Sequence, residues 1–148
     1  GLTLLAVSFP STTQFFQSPA SGQTAGFLVL TLPVLLYFTL WEGSSYGATP
    51  GKRAVGIAVR RSNGARLNRP RALARNALKL VPWELAHTCL WRIPGWPRPT
   101  GELPTWAIAG FGTVWALILL NLLLAWKTRT GQAAYDWVVD SVVSRTEG

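Results

Sequence analysis

A chain of 148 residues that is 49% hydrophobic, only 14% charged and has a mean hydropathy of +0.23 is too apolar for an ordinary soluble domain. Eight Trp residues and that apolar content exclude intrinsic disorder, and a single cysteine, Cys89, excludes a disulfide scaffold. A net charge of +8 would suggest nucleic acid in a soluble protein, but nine of the fourteen Lys and Arg lie between Lys52 and Lys79, so their position relative to membrane spans decides their meaning.

Residues 1–9 form an apolar stub too short to cross a bilayer, and they read as the end of a truncated first helix. Residues 10–24 are rich in Ser, Thr, Gln, Pro and Gly without a charge, which suits a loop on the non-cytoplasmic side. Residues 25–41 are uncharged and just long enough to span as a helix, with Pro33 tolerated because a bilayer helix can kink where neighbours satisfy the freed carbonyl.

The basic segment 52–79 follows, with no acid from Gly43 to Trp83, and retained Lys and Arg place it in the cytoplasm. Within it, apolar residues alternate up to Val59, and Asn63-Gly64 offers the pair a tight hairpin turn requires, so a small β-hairpin is expected with its return over residues 65–67. Pro70 then opens a basic juxtamembrane helix on which Arg71, Arg75 and Lys79 share one lipid-facing stripe. That stripe either anchors to anionic lipid headgroups or forms a site for an anionic ligand. Nucleic acid is not expected as a partner, since the segment lacks interleaved aromatics and is tethered between spans.

Residues 106–126 are the strongest span, uncharged and bounded by Trp at both ends; Asn121 within it reads as an interhelical hydrogen bond or a substrate contact. Lys127 and Arg129 place its end in the cytoplasm, so the chain must cross outward before it. Residues 78–93 are the polar candidate, as a third crossing helix or a re-entrant or interfacial segment. Glu84 and His87 share a face there, where ionisable groups are costly, and read as a bridge to Arg or Lys or as a proton relay. Metal is not expected, because two residues are too few ligands and Cys89 points away from His87. Residues 127–148 form a cytoplasmic tail.

The order Gly47-Ala48-Thr49-Pro50-Gly51-Lys52-Arg53, a short strand, the Asn63-Gly64 turn and Arg71-Ala72-Leu73-Ala74-Arg75-Asn76 resembles the core of the RDD family of bacterial integral membrane proteins. The tail, Tyr135-Asp136-Trp137-Val138-Val139-Asp140-Ser141-Val142-Val143, is similar to that family's terminal aspartate motif, which closes in a short β-type segment. The resemblance implies that Thr49, Pro50, Gly51, Lys52, Arg75, Asn76 and Asp136 are motif residues, with the family's Arg and first Asp falling before Gly1. It also implies transport of an undefined ligand.

From the residues themselves, Thr49-Pro50-Gly51 is a stiff turn in which Gly51 can take positive φ and which releases Lys52 and Arg53 to the headgroups. Asp136 reads as a salt bridge or turn cap tying the tail to the basic segment, or as a coupling group in ligand passage. The expected architecture is therefore an all-α membrane protein: a bundle of three to four transmembrane helices with a small cytoplasmic β-hairpin and a basic juxtamembrane helix, placed multi-pass in the bacterial plasma membrane. The expected function is transport of an ion or small ligand, or alternatively a non-transporting scaffold or accessory subunit. No enzyme motif is present and no cofactor is expected; lipid is the expected partner and homo-oligomerisation fits a bundle enclosing so little volume.

Overall fold

The computed structural model describes residues 18–99 and 101–146, so the expected helix end at 1–9 and residues 10–17 of the polar loop lie outside the described residues. Helix α1, Pro19–Glu42, runs 24 residues and starts earlier than its apolar stretch. The reason is local. Ser18 caps it by accepting from the Ser21 amide at 3.1 Å, the Ser21 hydroxyl returns to the Ser18 amide at 3.3 Å, and Pro19 occupies the first turn. Residues 19–24, expected as loop, are therefore helical. A π-turn at Phe27–Thr31 widens α1 just before Pro33, whose missing N–H leaves the carbonyl of Val29 without its usual donor.

Helix α2, Pro50–Ala54, is short, and strand β1, Ile57–Arg61, follows it. Helix α3 is one unbroken element, Arg69–Trp91, capped by Asn68, with Pro82 inside. The basic juxtamembrane helix and the polar segment 78–93 are thus the two ends of a single helix, a correction to their separate reading. Helix α4, Thr105–Lys127, is the second strongly apolar helix, and α5, Ala134–Val139, leads through Asp140 into strand β2, Ser141–Arg145. Asp140 ends α5 in the left-handed region at φ 56°.

The expected β-hairpin is corrected. Asn63-Gly64 does turn the chain, with Gly64 at φ 80° and the Arg61 amide bonded to the Ala65 carbonyl at 2.8 Å. The return segment reaches only an isolated bridge, Arg60 to Arg66, because Asn68 begins α3 before it can extend. Strand β1 instead pairs antiparallel with β2 from the tail, Ile57 opposite Arg145 and Arg61 opposite Ser141. The β-branched Val142 and Val143 suit that pairing better than the Ala65 and Arg66 of the return segment.

Helix α3 lies antiparallel between α1 and α4. At one end Gln23 of α1 meets Thr88 of α3; at the other, Glu42 meets Arg75. Close packing rests on glycine: a Cβ on Gly22 would come within 2.6 Å of the Trp91 ring, and one on Gly110 would collide with Cys89 Sγ. Outward faces stay apolar, with Val29 and Leu40 on α1 and Trp115, Leu122 and Trp126 on α4 exposed. Two helices among the described residues, α1 and α4, are long and apolar enough to cross a membrane. The segment 43–68, the sheet and the tail gather at the Glu42 end, over a small core of Val59, Leu67 and Ala72, while the loop after α3 lies at the Gln23 end.

Candidate functional site

Where α1 ends, an ion cluster is buried. Glu42 is fully shielded from solvent and its carboxylate accepts from two directions: Lys52 Nζ reaches Oε1 at 2.6 Å, while an Arg75 terminal nitrogen and Asn76 Nδ2 each reach Oε2 at 3.0 Å. Arg75 turns its Nε to Asp136 Oδ1 at 2.7 Å, so one guanidinium joins the acid of α1 to the acid of α5. Ser141, the first residue of β2, donates to the same Asp136 oxygen at 2.7 Å, and the other Asp136 oxygen accepts from the Ala133 amide at 3.3 Å. Two acids and two cations balance, which a buried group of charges requires.

Several sequence-based roles are corrected here. Arg75 does not face lipid; only 3% of its side chain is exposed, and it divides its donors between two carboxylates. Lys52 is not released to the headgroups but folds back onto Glu42. Thr49 caps α2 by accepting from the Lys52 amide at 3.4 Å, and it is this cap that aims Lys52 inward. Pro50 opens α2 and Gly51 lies within it; positive φ belongs instead to Gly47, at 64°, where a Cβ would meet the Val59 carbonyl at 2.9 Å. Of the expected stripe, Arg71 lies 3.5 Å from Asp140, and Lys79 places its ammonium 4.6 Å from the centroid of the Phe38 ring.

The tail's two aspartates are held differently. Asp136 is 3% exposed, whereas Asp140 is at the surface, where it accepts from the Ser62 hydroxyl and from Arg61 Nε and Nη2 at 3.1 and 2.9 Å. The Ser62 hydrogen bond and then Arg61 hold the Asp140 carboxyl below the usual carboxylate range. Tyr135, beside Arg75, has its hydroxyl pushed up by burial and by the neighbouring Asp136 charge, and so stays neutral.

Glu42 is the residue sequence reasoning missed, together with the role of Ser141. A signal existed: Glu42 stands directly after Trp41 at the end of an apolar run, and it is the acid that immediately precedes the acid-free stretch carrying nine cations.

A second polar group sits between α1 and α3 toward the other end. Glu84 Oε1 accepts from the Thr31 hydroxyl, and that same hydroxyl accepts from Trp83 Nε1 at 3.1 Å. Among the described residues Glu84 makes no ion pair, so the expected bridge to Arg or Lys is corrected to a bond with Thr31. His87 stacks on Trp83, ring centroids 4.4 Å apart, and its Nδ1 pairs with the Trp83 carbonyl at 2.9 Å rather than with Glu84. One helical turn further, Gln23 Nε2 donates to Thr88 at 2.6 Å and its Oε1 accepts from Arg92 at 2.8 Å. Glu84, Gln23 and Arg92, with Phe27, line an open cleft of about 300 Å³. Asn121 donates to the Leu117 carbonyl at 2.8 Å within α4 and accepts from the Ala134 amide at 3.1 Å, so its amide fastens α5 to α4. Among the described residues no group of three or more His, Cys, Asp or Glu could hold a metal ion.

Two helices long and apolar enough to cross a membrane, α1 and α4, with apolar residues exposed on their outer faces, fit a membrane protein. A family model, that of the RDD family, matches residues 1–140, and the chain belongs to the RDD family, whose members are membrane proteins. No curated protein and no solved structure matches it.

Proposed function

We propose that the protein carries a small ion or polar solute across the plasma membrane along the groove between α1 and α3. The observation that supports this is the Thr31–Glu84 contact. Thr31 lies 11 residues from the end of α1, about 16 Å along the axis, so the Glu84 carboxylate sits halfway along a helix of membrane-spanning length. An ionisable group at that depth is costly to keep and so marks a pathway, and the π-turn that ends at Thr31 is a feature that recurs at functional sites. No catalysis is part of this reading, and the narrow bundle makes a homo-oligomer the working unit. Glu84→Gln is expected to abolish ion or solute flux in proteoliposomes while the melting temperature in detergent stays within a few degrees of the parent, because shape is kept and charge removed. Flux per folded molecule equal to the parent would overturn the role of Glu84.

A second reading, a non-transporting scaffold or accessory subunit, draws on the open form of both clefts among the described residues. Absence of flux for any cation tested, in oriented proteoliposomes of intact protein, would favour it.

The same proposal carries an orientation. Lys52 to Lys79 and the tail lie at one end of the bundle, and retained basic residues favour the cytoplasm. In a Cys89→Ser background, Arg98→Cys is expected to react with a membrane-impermeant maleimide in intact cells, and Ala65→Cys only after lysis. The opposite pattern would invert the protein in the membrane.

A further inference from the structure

The groove between α3 and α4 opens at its inner end into a cleft of about 180 Å³ that none of the roles above uses. Its walls are apolar, from Pro82, Ile118, Leu122 and Ala125, while Lys79 and Tyr135 stand at its rim. Leu122 is five residues before the end of α4, about 8 Å along the axis, so the cleft straddles the depth at which acyl chain gives way to headgroup.

The two rim groups make only ring contacts, the Lys79 ammonium with Phe38 and the Tyr135 ring with Arg75. Lys79 joins no ion pair among the described residues, although Arg75 one turn earlier binds two acids. The Tyr135 hydroxyl makes no hydrogen bond among the described residues. An ammonium and a neutral phenol above an apolar wall offer one positive charge and one O–H donor to an anion that carries a hydrocarbon tail. Asn121, which also lines the cleft, has its amide committed to Leu117 and Ala134.

We propose that this cleft is a specific site for one anionic phospholipid, its phosphate between Lys79 and Tyr135 and an acyl chain laid along Ile118, Leu122 and Ala125. Charge complementarity selects an anionic lipid over a zwitterionic one, whose own ammonium would approach Lys79. The site rests on the chain's being a membrane protein and not on the transport reading, so failure of either leaves the other standing.

The full chain, purified and delipidated in detergent, tests this by native mass spectrometry with phosphatidylglycerol, phosphatidylcholine or inorganic phosphate added. One phosphatidylglycerol per chain is expected to be retained at least about fivefold better than phosphatidylcholine, and Lys79→Gln should lower that retention about fivefold. Lys127→Gln, outside the cleft, should leave it unchanged. Tyr135→Phe should weaken retention about threefold, and it keeps the test informative if Lys79→Gln fails to fold. Equal retention of the two lipids, or full retention of phosphatidylglycerol by the folded variants, would overturn the site. Complete competition by inorganic phosphate would also overturn it, by showing an anion site in which the acyl chain has no part.

Discussion

Arg75→Gln is expected to be the most damaging single substitution among the described residues. It removes the cation shared by Glu42 and Asp136 and leaves two carboxylates facing each other in a buried setting, with Lys52 able to neutralise only one of them. Breaking one partner out of a buried charge group costs about 3–5 kcal/mol, a large share of the total stability of a chain this size. The amount of protein that inserts and resists protease should fall severely. Arg75→Lys should recover little, because a single ammonium cannot reproduce the fork that serves Glu42 through a terminal nitrogen and Asp136 through Nε. Near-parental yield and protease resistance for Arg75→Gln would mean that the cluster does not hold the fold.

The second large effect separates the tail's two aspartates. Asp136→Asn keeps the size of the side chain but strips the charge from the centre of the cluster, leaving Arg75 with one acid for its two sets of contacts. About 3 kcal/mol is expected. Asp140→Asn removes one charge from the same tail, but its contacts with Arg61, Arg71 and Ser62 lie at the surface, where such pairs contribute little. Thermal unfolding of both variants in one detergent decides the matter. Equal shifts, or a larger one for Asp140→Asn, would show that burial does not rank these two carboxylates.

Asp136 was legible in the sequence, as was its tie to the 71–79 helix, because a short tail with few acids must meet a helix with many cations. The two apolar helices were legible too, to within a residue or two at most ends, since lipid-facing residues carry their signal in composition alone. Part of what escaped depends on which side of an element turns inward. Spacing puts Arg71, Arg75 and Lys79 on one face but does not say that this face meets Glu42 and Asp136. The Asn63-Gly64 turn was real, yet a turn fixes only where the chain reverses, and whether a ladder follows depends on how soon Asn68 starts the next helix. The start of α1 at Pro19 was hidden by reading hydropathy before capping, although Ser18, Pro19 and Ser21 spell out a helix start.

The buried cluster also orders events during synthesis. Glu42, Lys52, Arg75 and Asn76 leave the ribosome well before Asp136 and Ser141, and β1 waits for a partner strand that is the last part of the described chain to be made. Until then the nascent protein holds one acid, Glu42, against two cations, so the Glu42 end of the bundle lacks its balancing charge. Synthesis of residues 136–145 supplies the missing charge and the missing strand together, which makes it the step at which the Glu42 end can lock.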